Sequence, residues 1–312
     1  MRVVVAGATG VIGRSLLPRL RIDGRTVIAV CRDPERSEAM RERGFETVVA
    51  DALDGDALRR AVIESDPEII INQLTNLPRS LLNPRAASSA AKRTNALRTV
   101  GGRALAEAAK VTGARLVAQS IAFAQRPGDG VRVEDDPLYT DAPKAHAAVV
   151  DAIGTLELVT TDAGGTVLRY GAFYGPGTYF APGEGYPTML RRRLLPIIGE
   201  GRGVWGLLHL EDAVDATIKA IVAPPGVYNV VDDDPVMASE LLPWMAEQLG
   251  TKPPRRVPRF LFSQGPTTIL RYLIDEQPAV SSERARNVLG WAPGHPSWRG
   301  PLAELLAEAA GG

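Results

Sequence analysis

Residues 3–20, VVVAGATGVIGRSLLPRL, constrain the fold more than any other stretch: a β-branched run passes into an amphipathic segment through Gly7, Gly10 and Gly13. Glycines at such a junction allow a tight turn, a close approach of backbone N–H groups to an anion, and a helix laid hard against its strand. The amino terminus of the helix adds partial positive charge, so the backbone of Thr9, Gly10, Val11 and Ile12 suits a pyrophosphate. The same alternation continues through the first half. RVVVAG, TVIAVC, ETVVAD, EIIINQ, ARLVAQS and GTVLRY are short apolar runs separated by helical stretches. Unbroken apolar strands need cover on both faces, which predicts a doubly wound α/β fold around a parallel sheet.

From Gly171 the character changes to glycine, proline and aromatic residues in GAFYGPGTYFAPGEGYP, followed by LRRRLLP and by two further apolar stretches, VWGLLHLEDAVDATIKAI and GVYNVVDDDP. This predicts a first domain over residues 1–170, completed by roughly 204–231. A smaller substrate-binding domain then occupies most of 171–312. No repeat or low-complexity segment interrupts the chain.

The charge balance steers the partner class. Lys plus Arg equals Asp plus Glu at 36 each, which gives no electrostatic case for nucleic acid or an anionic membrane and leaves a small molecule as the expected partner. The single Cys31 excludes an internal disulfide framework. The three histidines, His146, His209 and His295, show no metal-ligand spacing in sequence, so no metal is expected. No apolar run approaches the roughly 18 residues of a membrane span. A cytoplasmic location and a homodimer are the corresponding expectations.

The ends of the next strands supply the remaining cofactor candidates. After AVC, where an acid usually accepts hydrogen bonds from the adenosine ribose, stands Arg32, whose guanidinium suits a 2′-phosphate; Asp33, directly after it, is the competing ribose ligand. Arg32 therefore favours NADP(H), with NAD(H) the alternative and Arg14 a possible assistant. Asp51 and Ala52 close the third strand, Asp51 being either an adenine contact or a helix cap. Leu74 and Thr75 follow the fourth strand.

Beyond the glycine loop, several segments resemble the extended short-chain dehydrogenase/reductases of the NAD(P)-dependent epimerase/dehydratase type. The spacing G-x-x-G-x-x-G is similar to theirs, and so are VLRYGAFYGPGT, LLHLEDAVDATIKAI, GVYNVVDDDP and SSERARNVLGWAP, in the same order along the chain. The resemblance implies a Rossmann-type fold with a smaller carboxyl-terminal substrate domain. Within TNALRTVGGRALAEAAKVTGARLVAQSIAFA it implies a cofactor-side Asn95 and an active-site Ser120. Arg169, Tyr174 and Tyr179, in and after VLRY, are the corresponding substrate-side candidates.

The proton-transfer pair departs from the family pattern. There a tyrosine precedes a lysine by four residues on one helix face; here Tyr139 is followed at that distance by Pro143, and Lys144 lies one place further. Proline disfavours helix at Ala142, so Tyr139 and Lys144 are expected to straddle a bend. No tyrosine occurs in KAHAAVVDAI, where the register from Ser120 and Arg169 would place the pair. His146, Tyr139 and Ser120 are the substitutes to weigh as proton donors. Ala172 stands where nucleotide-sugar members carry asparagine, which argues against such a substrate, and Arg191–Arg193 is either an acid-binding group or a solvated face.

Two functional classes follow. One is an NADP(H)-dependent oxidoreductase acting on a carbonyl or activated alkene, with isomerisation or dehydration as an enzymatic variant; the other is a non-catalytic NADP(H)-binding sensor or scaffold.

Overall fold

Strand β1 (Arg2–Ala6) lies inside a seven-stranded parallel sheet with β2 (Thr26–Cys31), β3 (Glu46–Val49), β4 (Ile69–Asn72), β5 (Arg115–Ile121), β6 (Thr166–Tyr170) and β7 (Gly226–Val230). The order across the sheet is β7-β6-β5-β4-β1-β2-β3, so direction of winding reverses between β1 and β4, and a crevice opens beyond their carboxyl ends. The computed structural model describes residues 1–310 except Arg79, Leu81, Glu184 and Pro266.

Alternation along β1 sends its side chains to the two faces of the sheet, as the two-residue period of a strand requires. Val3 and Val5 join Leu16, Leu17 and Leu20 on one face, while Val4 and Ala6 join Leu58, Val62 and Leu105 on the other. The helices follow from α1 (Val11–Ile22), α2 (Pro34–Glu42) and α3 (Gly55–Glu64) to α4 (Pro84–Ala96), α5 (Gly102–Thr112) and the long α6 (Lys144–Asp162). Asp33, Asp54 and Asn83 cap α2, α3 and α4 by accepting backbone N–H bonds. Gly10 at the head of α1 offers no side-chain cap, which leaves those amides for a ligand.

A second core gathers residues from α7 (Tyr186–Arg191) and from α9 (Ala238–Gln248), which follows α8 (Leu210–Ala220) in the chain. Its later contributors flank α10 (Thr267–Arg271) and α11 (Glu283–Leu289) and include α12 (Arg299–Ala310). The segment between α11 and α12 joins the two bodies: Trp291 is buried in the first core and Trp298 in the second. Burying an indole in each is the largest single apolar commitment that short connection makes.

Candidate active site

The glycine loop is a cradle that only glycine fills. Gly7 adopts φ +90°, and a Cβ there would lie 2.3 Å from the Gln73 carbonyl oxygen. At Gly13 a Cβ would meet the Gly7 and Ala8 carbonyl oxygens at 2.5 Å, so α1 can approach β1 only without a side chain at that position. Gly10 N–H donates to Gly7 O at 3.0 Å and Arg14 Nε to Thr9 O at 3.1 Å, which fixes the loop's path. Uncapped helix amides beside side-chain-free backbone fit the diphosphate of a dinucleotide. Thr9 is half-buried and Val11 is exposed; Ile12 turns its side chain into the core and presents only backbone.

At the tip of β2, the Asp33 carboxylate accepts the Arg36 N–H as the α2 cap, with the Arg32 and Arg36 guanidinium nitrogens 3.7 and 3.4 Å away. The ribose-ligand alternative for Asp33 thus competes with a capping bond it already makes. Asp51 is not the cap of α3, a role that falls to Asp54; its Oδ1 accepts from Leu53 N–H and lies 3.7 Å from Arg93. Ala52 and Leu74 pack close to Gly101, where a π-helical turn, Leu97–Gly101, interrupts the passage from α4 to α5. Leu74 N–H is held by Asn72, and Thr75 is half-buried beside it. Asn95 Nδ2 donates to Ala148 O of α6 at 3.0 Å, and its Oδ1 has no partner among the described residues.

Tyr139 and Lys144 do straddle a bend. Tyr139 lies in a loop, Pro143 precedes the first turn of α6, and Lys144 opens that helix with an exposed side chain. Tyr139 instead meets His146 edge-on with ring centroids 5.4 Å apart, and Tyr272 closes the trio at 4.6 Å from His146. Tyr272 donates its hydroxyl to Gln125 O at 2.6 Å. His146 is 3% exposed, and burial pushes its pKa down to about 4, which keeps the imidazole neutral at physiological pH. Burial, with Glu276 and Asp141 assisting, raises the Tyr139 pKa.

The structure places Ser120, Arg169, Tyr174 and Tyr179 in buried or internally hydrogen-bonded positions. Ser120, 1% exposed, donates to Glu157 Oε1 at 2.7 Å, so its hydroxyl is spent inside the protein. Arg169 is likewise interior: Nε and Nη2 clamp the two Glu157 oxygens at 2.8 and 2.6 Å, and Nη1 donates to Glu134 O. This planar two-point pairing is the strong form of a carboxylate–guanidinium bond. Arg98 is buried beside it; desolvation lowers its pKa to about 10, against the opposing pull of Glu157. Tyr174 is fully buried against His209, while Tyr179 donates to Pro78 O at 2.7 Å and so ties the loop after β4 to the second body.

No sequence motif singles out Glu157, Glu134, Asp232 or Tyr272, yet the fold buries all four. Glu157 carried a signal, because it falls on the stripe Val150, Ile153, Glu157, Thr160 that α6 buries. A carboxylate on an apolar stripe needs a buried partner. Asp232 follows β7 inside the fold, and neither of its oxygens has a hydrogen-bond partner of good geometry among the described residues. Another meeting concerns the histidines: His209 and His295, far apart in sequence, come together with ring centroids 3.9 Å apart.

Comparison with known proteins places these features in context. Residues 3–230 match the NAD dependent epimerase/dehydratase family. The chain is 44% identical over 309 residues to 3-diazoavenalumate denitrifying reductase of a Streptomyces species, covering 97% of this chain and 99% of that protein. It is 27% identical to a UDP-glucose 4-epimerase of Mycolicibacterium smegmatis, over 94% of each. Among solved structures, UDP-glucose 4-epimerase of Thermotoga maritima superposes with a TM-score of 0.74 at 20% identity, covering 100% of this chain and 98% of that one. The Thermus thermophilus enzyme, solved with NAD, gives 0.73 at 21% identity over 100% and 99%. Among the described residues no helix is long and apolar enough to cross a membrane. The chain is an enzyme of the NAD-dependent epimerase/dehydratase family, built on the extended short-chain dehydrogenase fold.

Proposed function

We propose that this enzyme is an NADPH-dependent reductase of a small aromatic diazo compound, releasing its nitrogen. The observation that carries the reading is the state of the proton-donor candidates. Ser120 is committed to Glu157, His146 is buried and neutral, and Tyr139 packs into the same aromatic group as His146. A carbonyl acceptor develops an alkoxide and benefits roughly 10²–10⁴-fold from a placed acid. An arenediazonium makes no such demand. It is already cationic, so hydride on its outer nitrogen gives a neutral aryldiazene, which loses N₂ and leaves a C–H bond. Atoms and charge balance with no proton from the protein. The name of the 44%-identical relative, which joins a diazo substrate to a denitrifying reduction, points the same way.

In this reading the backbone at Gly7, Thr9–Gly13 and the amides heading α1 hold the diphosphate, Asp51, Ala52, Leu74 and Thr75 flank the adenine side, and Arg32 with Arg36 meets a 2′-phosphate. The reduced nicotinamide, when bound, supplies the hydride. The chain's own contribution is to exclude water and orient the acceptor. Tyr139, backed by the buried His146 and Tyr272 rings, and Tyr179 on the loop-bridging side offer aromatic surface to a flat substrate. His146 and Ser120 act as positioning residues. Ala172 in place of asparagine supports a substrate without a sugar diphosphate.

The test is anaerobic NADPH oxidation with a carboxylate-bearing arenediazonium salt, corrected for the uncatalysed reaction, alongside ketones, enones and UDP-sugars. Equimolar N₂ and NADP⁺ from the diazonium is the expected result. Turnover of carbonyls or UDP-sugars without diazonium reduction would overturn it.

A further inference from the structure

We propose that His209, Glu211 and His295 form a binding site for a divalent transition metal of the zinc type. Each residue offers one ligand atom, and these atoms lie within 4.8 Å of one another. The chain contains 3 histidines in all; two of them converge here although one ends the strand Leu207–His209 and the other lies beyond α11. Two imidazoles and a carboxylate suit zinc, nickel, cobalt or copper better than magnesium or calcium, and three protein ligands leave a position for water.

The groups behind the ligands are arranged as a metal site needs. Asp212 Oδ2 pairs with His295 Nδ1 at 3.2 Å, and the same carboxylate accepts the Gly294 and His295 backbone N–H groups at 2.8 and 3.0 Å. A carboxylate placed behind an imidazole fixes the ring and raises the basicity of its other nitrogen. The amino terminus of α8 would by itself repel a cation. Glu211 and Asp212, both in its first turn, put two carboxylates there and reverse the local sign.

An ion here would fasten the segment between Trp291 and Trp298, which spans the two cores, to the head of α8. Its effect is therefore on the cohesion of the two bodies. The test uses tag-free protein and zinc sulfate in calorimetric titration and thermal denaturation. Expected are stoichiometric binding, a rise in Tm, and a loss of at least about tenfold in affinity for His295→Gln and for Glu211→Gln. Both substitutions are on exposed or half-exposed side chains, and a far-UV spectrum confirms that each variant is folded. Asp212→Asn should weaken binding about 10–100-fold while leaving the ligands in place. Unsaturable zinc uptake, or equal affinity in wild type and His295→Gln, would overturn the proposal without touching the reductase assignment, which the diazonium assay addresses separately.

Discussion

Replacing Asp232 with asparagine should make the enzyme's stability less dependent on pH, and the size of the effect follows from where the carboxyl sits. Asp232 is 4% exposed, and its pKa rises from 3.8 to about 8. The cause is chiefly desolvation; the Asp234 amide moderates the rise, while the charges of Asp234 and Asp212 add to it. In the unfolded chain the group loses its proton near its ordinary value, whereas the native state holds it to about pH 8. Between those limits the folded protein binds more protons, so stability is lost as pH rises. One proton is worth about 1.4 kcal/mol per pH unit, and from pH 5 to pH 8 the limit is therefore about 4 kcal/mol. Asparagine keeps the shape and does not titrate. Urea denaturation of both proteins across that range, at constant ionic strength, should show Asp232→Asn gaining on wild type with every step upward in pH. The slope of the difference is the readout, because any fixed cost of burying the amide cancels. Parallel curves would mean that Asp232 is ionised and compensated in the native state, and the reasoning would fail.

Other perturbations test the remaining structural claims. Glu157→Gln leaves the Arg169 guanidinium buried without its counter-charge and should cost about 3–5 kcal/mol in urea unfolding, whereas Glu157→Gln with Arg169→Met should cost less than the sum of the single changes; additivity would remove the pair from the argument. Gly13→Ala drives a methyl against two carbonyl oxygens and should abolish cofactor binding in a fluorescence titration. Gly300→Ala, in α12 with no atom within 4 Å of the added carbon, should be neutral or stabilise by about 0.5–1 kcal/mol. Arg32→Asp should lower NADP⁺ affinity at least about tenfold while sparing NAD⁺. Equal affinity of the wild type for both nucleotides would refute the assignment of Arg32 to the 2′-phosphate.

What the sequence determined by itself was local or periodic. Three glycines between an apolar strand and an amphipathic helix set a tight junction with the helix close against its strand, and the bend at Pro143 follows from ring geometry at a single residue. The unbroken apolar runs required a parallel sheet covered on both faces, and the seven strands obey that requirement. The sequence also located Arg32 at a strand tip, because strand ends are set by the same pattern.

What only the tertiary structure decided was which polar groups meet. The family resemblance makes Ser120 and Arg169 site candidates, and the structure joins both to Glu157, a partner on another element. His209 and His295 show no ligand spacing along the chain and are nevertheless neighbours. Tyr272 gave no warning that it would close over His146. Periodicity fixes the face on which a side chain lies, but a buried donor's acceptor is chosen by the packing of distant segments, because each buried polar group must find a partner wherever the fold brings one within reach.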